Sequence, residues 1–116
     1  MPDAKGMYIM DEQMLQSMTA AIVDELHPDQ IILFGSRARR SERDQSDVDV
    51  LIIVPDSEEA NRNRRRLEGR VYRRLAHFRV PNDILIFTRQ DVQRWRNVVG
   101  HIVESSLREG RQLYAR

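Results

Sequence analysis

Apolar positions recur at helical spacing near the start of the chain, where Leu15, Met18, Ile22 and Leu26 follow Asp11, a residue type suited to an N-cap. Pro28 ends that run, which predicts a first helix. Gln30 to Phe34 is a short apolar run of β-branched and aromatic type that stops at Gly35-Ser36, the pattern of a buried strand. The next five residues, Ser36 to Arg40, suit a short helix, and polar Ser41 to Ser46 suits a loop. Val48 to Val54 is nearly continuous in apolar residues and stops at Pro55, so it predicts a second buried strand with Asp47 and Asp49 at its start. Ser57 is placed to cap one long helix from about Glu58 to Phe78, with Leu67, Val71, Leu75 and Phe78 on the apolar face. Asp83 to Phe87 predicts a third strand. Thr88 and Asp91 have the spacing of a capping box that opens a helix through Trp95. A last helix is expected from Val98 to Glu109, with Ile102, Val103 and Leu107 inward and Gly110 as its stop, ahead of a tail carrying Leu113-Tyr114. Strands separated by helical segments imply an α/β (α+β) layer fold, helices packed on a small sheet.

At 116 residues, this is the size of one domain with one core, here spanning about residues 11 to 114. No stretch approaches the roughly 20 apolar residues of a membrane span, and no basic-then-apolar leader opens the chain. Cysteine is absent, which removes disulfides and thiolate metal sites; a cytoplasmic location is the expectation. The net charge of +1 gives no overall pull toward nucleic acid, but its distribution is uneven. Asn61 to Arg79 holds eight arginines and one acid, Glu68, whereas acids gather in Asp3 to Glu25 and Glu42 to Asp49.

The chemistry is concentrated in Gly35-Ser36, then ten residues, then Asp47-Val48-Asp49, with Asp83 at the start of the next strand. A glycine lets the chain turn sharply off a strand and lets backbone N–H groups approach a phosphate without a Cβ in the way. Ser36 adds a hydroxyl donor, and a helix starting there would turn its positive end to a triphosphate. Asp47 and Asp49, two apart on a strand, point to one face with Cα atoms roughly 6.5 to 7 Å apart, so both reach one metal ion or a pair. Their hard carboxylate oxygens suit Mg²⁺, which shares its coordination with substrate phosphates. Asp83 is the candidate third carboxylate, able to ligate an ion and to take a proton from the nucleophile. Arg37 and Arg39 follow the turn closely enough to neutralise a departing pyrophosphate. Taken singly, a Gly-Ser pair is usually a turn and Asp83 after Pro81-Asn82 reads equally as a turn residue. The ordered set carries the signal, because like charges on one face repel unless a cation lies between them.

At these residues the chain resembles the minimal nucleotidyltransferases of the DNA polymerase β superfamily, in particular the antitoxins encoded beside HEPN-domain toxins. The resemblance runs through Ile32 to Arg39, Ser46 to Val54, Asp83 to Thr88 and Leu107 to Tyr114. It implies the nucleotidyltransferase core, a small mixed sheet flanked by helices. It puts Gly35 and Ser36 on the phosphate-binding turn, Asp47 and Asp49 on the metal ligands, and Asp83 on the third carboxylate. The activity it implies is Mg²⁺-dependent transfer of AMP from ATP to a hydroxyl, in the antitoxin branch a tyrosine of the partner toxin. Arg40 stands where relatives often have glycine.

Two other readings stay open: an antitoxin that masks its toxin without catalysis, and a transferase acting on a small molecule of aminoglycoside type. The arginines Arg62, Arg64, Arg65, Arg66, Arg70, Arg73, Arg74 and Arg79 read as a toxin-docking surface, a nucleic-acid stripe or a solvated helix face. Tyr72 and the core-facing Phe78 are the Tyr, Phe or Trp residues within the series, which supports base stacking poorly, so nucleic acid is not expected as a direct ligand. His27, His77 and His101 lack metal-ligand spacing. Trp95, Met10, Met14 and Met18 are expected in packing.

Overall fold

A computed structural model describes residues 12–35 and 48–116. Helix α1 (Glu12–Leu26) leads into strand β1 (Gln30–Phe34). Strand β2 (Val48–Val54) is followed by α2 (Glu58–Arg62), α3 (Arg64–Leu75) and a 3₁₀ turn (Ala76–Phe78). Strand β3 (Asn82–Thr88), α4 (Arg89–Trp95), α5 (Ile102–Glu109) and strand β4 (Arg111–Ala115) complete the order. The four strands form one mixed sheet in the order β3-β2-β1-β4, with β1 antiparallel to both neighbours and β2 parallel to β3. The expected α+β architecture is the one observed.

The near-continuous apolar run of β2 is explained by burial on both faces. Val48, Val50, Ile52 and Val54 join Ile31, Leu33, Ile84 and Ile86 in a core with Leu15, Met18 and Ile22 of α1 and Leu67, Val71 and Leu75 of α3. On the opposite face Leu51 and Ile53 pack with Ile32 and Val103, bordered by Phe34, Phe87, Trp95, Ile102 and Leu107. Asp49 shares that second face and is only half-buried.

The structure departs from the sequence pattern in three places. The long helix expected from Glu58 to Phe78 is broken at Asn63, whose φ of −139° and ψ of 57° leave the helical region. Asn63 still donates its N–H to Glu59 O at 2.8 Å and accepts from Arg66 N at 3.1 Å, so it joins two helices as a shared cap. Both bonds are made by its backbone rather than its side chain, and the apolar spacing on either side hides the break. The last helix starts at Ile102 rather than Val98, because Gly100 has φ +93° and His101 Nδ1 accepts from Val103 N–H at 3.0 Å as the N-cap. The tail forms strand β4, which pattern did not reveal: its register against β1 shifts between Ile31 and Ile32, a bulge that breaks simple alternation.

Gly110 does end α5, but its φ is −74°, so no left-handed cap is involved. Glycine is required there by close approach: a Cβ would overlap the Ile32 side chain and the Ser106 carbonyl oxygen. Thr88 and Asp91 form the expected reciprocal capping box. Met10, the N-cap at Asp11, the short helix at 36–40 and the loop at 41–46 lie outside the described residues.

Part of the arginine series works inside the fold. Arg70 Nε donates to Glu25 Oε2 at 2.9 Å and Arg74 NH2 donates to Asp24 Oδ2 at 2.7 Å, fastening α3 to α1. Arg64 pairs with Asp91 at 2.9 Å, tying α3 to α4. The Arg74 and Arg70 guanidinium groups hold the carboxyls of Asp24 and Glu25, respectively, below their ordinary values, through hydrogen bonds first and charge second. Met18 is fully buried and Met14 packs at the edge of the core, as expected for gap-filling methionines. No helix among the described residues is long and apolar enough to cross a membrane.

Candidate active site

Strand β1 delivers Gly35 to the upper end of the sheet, and Gly35 adopts φ +78°, a conformation that side chains disfavour. The glycine is needed for a second reason. A Cβ built on it would sit 2.5 Å from Asp49 Oδ2, so the carboxylate lies directly against the turn. That proximity follows from register, since Phe34, the residue before Gly35, is the antiparallel partner of Asp49.

On the other side of β2, Asp49 is the parallel partner of Asp83. Neighbouring strands lie about 4.8 Å apart and in-register partners share a pleat, so the two carboxylates emerge side by side on one face. This is the face on which α4 and α5 cover Leu51, Ile53 and Phe87 further along the strands. Asp83 is exposed at its upper end. The sheet therefore gathers Gly35, Asp49 and Asp83, residues up to 48 positions apart in sequence, onto adjacent strands.

Ser36, Arg37, Arg39 and Asp47 lie outside the described residues. Among the described residues no three acidic, histidine or cysteine side chains converge as a metal site; Asp49 and Asp83 are two of the three expected ligands. The donor chemistry fits Mg²⁺: two carboxylates at this spacing favour a shared hard cation, and one of them lies directly against the glycine turn.

Beside the turn, Phe34, Gly35, Ile102, Ser105, Ser106, Glu109 and Gly110 line a cleft of about 190 Å³. Ser106 is 2% exposed and its Oγ has no hydrogen-bond partner. A larger groove of about 650 Å³ lies between α1 and β4, lined by Leu15, Val23, Leu113 and Tyr114 among others, and includes none of the three site residues.

Sequence reading passed over one contact at this site. Tyr72, noticed only as the aromatic within the arginine series, places its hydroxyl oxygen 2.9 Å from the N–H of Ile84, next to Asp83. No spacing rule joins residues 12 apart on different elements, so only the packed structure discloses it. Of the histidines, His101 stacks on Trp95 with ring centroids 4.5 Å apart and planes 5° from parallel, while His27 and His77 are exposed.

A family model described as "Polymerase beta, Nucleotidyltransferase" matches residues 16–116. The chain belongs to the polymerase beta nucleotidyltransferase family. Two solved structures share the fold of this nucleotidyltransferase. One is a crystal structure of a protein from Sulfolobus solfataricus assigned as a nucleotidyltransferase, with TM-score 0.56 at 17% identity over 90% of this chain and 79% of that one. The other is a toxin-antitoxin structure with AMP-PNP, with TM-score 0.53 at 17% identity over 87% of this chain and 73% of that one. A search of curated proteins finds no match to this nucleotidyltransferase.

Proposed function

We propose that this nucleotidyltransferase moves AMP from ATP to a hydroxyl group, and that the acceptor is a tyrosine of a HEPN-domain partner toxin that the transfer neutralises. The observation that carries the transfer reading is the alignment of Asp49 and Asp83 on adjacent parallel strands beside the Gly35 turn. The fold likeness to a toxin-antitoxin structure with AMP-PNP supports the partner and the nucleotide.

In this reading Gly35 and Ser36 bind the triphosphate, and Arg37 and Arg39 neutralise its β and γ phosphates. Asp47, Asp49 and Asp83 hold Mg²⁺, which when bound supplies positive charge to the phosphates and to the developing alkoxide. Asp83 accepts the proton of the acceptor hydroxyl. The acceptor oxygen then bonds to the α-phosphorus as the bond from that phosphorus to the α,β-bridging oxygen breaks, and pyrophosphate leaves with the electron pair.

The test is transfer of label from α-labelled ATP to a co-purified HEPN partner. Wild type should label the partner in Mg²⁺, and Asp49→Asn or Asp83→Asn should lower transfer by at least about 100-fold while the circular dichroism spectrum is retained. Tight binding without any label transfer would overturn the catalytic reading and leave an antitoxin that acts by masking. Removal of Mg²⁺ with a chelator should stop wild-type labelling, and re-addition should restore it.

A further inference from the structure

Asp83 stands on β3, an edge strand of the sheet. In a parallel pair, alternate residues turn their backbone groups toward the neighbour and the others turn them outward. Val48 N–H donates to Pro81 O at 3.0 Å, which sets the phase: odd-numbered residues of β3 face β2 and even-numbered ones face the open edge. Unpaired outward N–H groups leave an edge strand free to shift or fray. Two of them are closed by side chains. Asp91 Oδ2 accepts from Thr88 N–H at 2.9 Å at the far end, and Tyr72 Oη accepts from Ile84 N–H at 2.9 Å next to Asp83.

We propose that Tyr72 is a positioning residue for Asp83: its hydroxyl, held at the edge by helix α3, pins the Asp83–Ile84 peptide so that the Asp83 carboxylate stays aligned beside Asp49. The proposal rests on the transfer reading given above. Tyr72 itself is 38% exposed, more than an aromatic kept only for packing needs to be. Its two helical neighbours one turn apart, Val71 and Leu75, are fully buried, so α3 is anchored whatever Tyr72 does. The hydroxyl, not the ring, makes the contact with β3 that an apolar residue could not replace. On the near side Asn82 is held by its own contact, Nδ2 donating to Val80 O at 2.9 Å. Asp83 is therefore fixed through both flanking residues. Proton transfer and in-line attack depend on sub-ångström placement of the carboxylate, which is why one edge hydrogen bond matters here.

Tyr72→Phe removes the hydroxyl and keeps the ring. With labelled ATP and the HEPN partner, kcat should fall about tenfold while KM for ATP stays within about twofold, and Tm should be unchanged within about 2 °C. The amide of Ile84 should exchange faster with solvent. The control is Asp91→Ala, which removes the acceptor of the Thr88 N–H at the same strand's other end and with it the α4 capping box and the Arg64 ion pair. It should lower Tm by about 5 °C and leave kcat unchanged. Equal kcat for wild type and Tyr72→Phe would overturn the proposal, as would a fall in kcat matched by the same fall in Asp91→Ala. Wild type that transfers no label at all would instead overturn the transfer reading itself, and this role of Tyr72 with it.

Discussion

Asp49 and Gly35 constrain each other at the scale of single residues. The carboxylate occupies the volume that any side chain at position 35 would need, and the backbone there is left-handed. Gly35→Ala should therefore act twice: a loss of about 1 kcal/mol in stability from the strained φ, measured by urea unfolding, and a larger loss of nucleotidyl transfer because Asp49 is pushed aside. A decrease in activity no greater than the change in folded fraction would contradict the second effect. Gly110 makes the contrasting case. Its φ is ordinary, yet a methyl group there would overlap the Ile32 side chain and a helix carbonyl. Gly110→Ala should cost about 2 kcal/mol through overpacking, and lower Tm by roughly 10 °C.

Elements are joined by charge as well as by apolar packing. Asp24 and Glu25 on α1 meet Arg74 and Arg70 on α3, and both carboxyls are held below their ordinary values by those arginines. A carboxylate whose folded pKa is depressed adds stability that is fully present above its unfolded value, near 4, and is lost as pH falls through the lower folded value. Stability should thus decline below about pH 4, and Arg70→Gln/Arg74→Gln should lose more stability at pH 7 than at pH 3. Urea titrations at both pH values would check it; an equal loss at the two would assign the effect to packing of the arginine stems instead.

The same elements show what was legible beforehand. Helix α1, strands β1, β2 and β3 and the Thr88 capping box follow from local periodicity and end signals, which carry their own positions. Asp49 was visible because an acid interrupts a run that is otherwise buried on both faces. The break at Asn63 was not, since Leu67, Val71 and Leu75 keep helical spacing beyond it. Strand β4 was hidden by its bulge, and the Tyr72 contact depends on how α3 lies over β3, which no local pattern encodes.

For the whole molecule, the sheet order explains why the site can exist in so short a chain. β2 lies between β1 and β3, so a turn on one neighbour and a carboxylate on the other meet across a single strand carrying Asp49. The helices on one face bury the larger core, while α4 and α5 cover Leu51, Ile53 and Phe87 on the other face, at whose upper end Asp83 is exposed.

The β1–β4 pairing also governs the order in which the protein can mature. Gln30 and Gln112, whose side chains meet across these strands at 2.9 Å, are 82 positions apart. Closure of so long a loop is entropically slow, and until it happens β1 has a neighbour on only one side. The turn at Gly35 sits at the end of that half-paired strand. During refolding, helical signal should consequently recover before the capacity to bind nucleotide, so nucleotide binding would report completion of the last contact in the sheet, and a chain caught short of it would carry an open edge on β1.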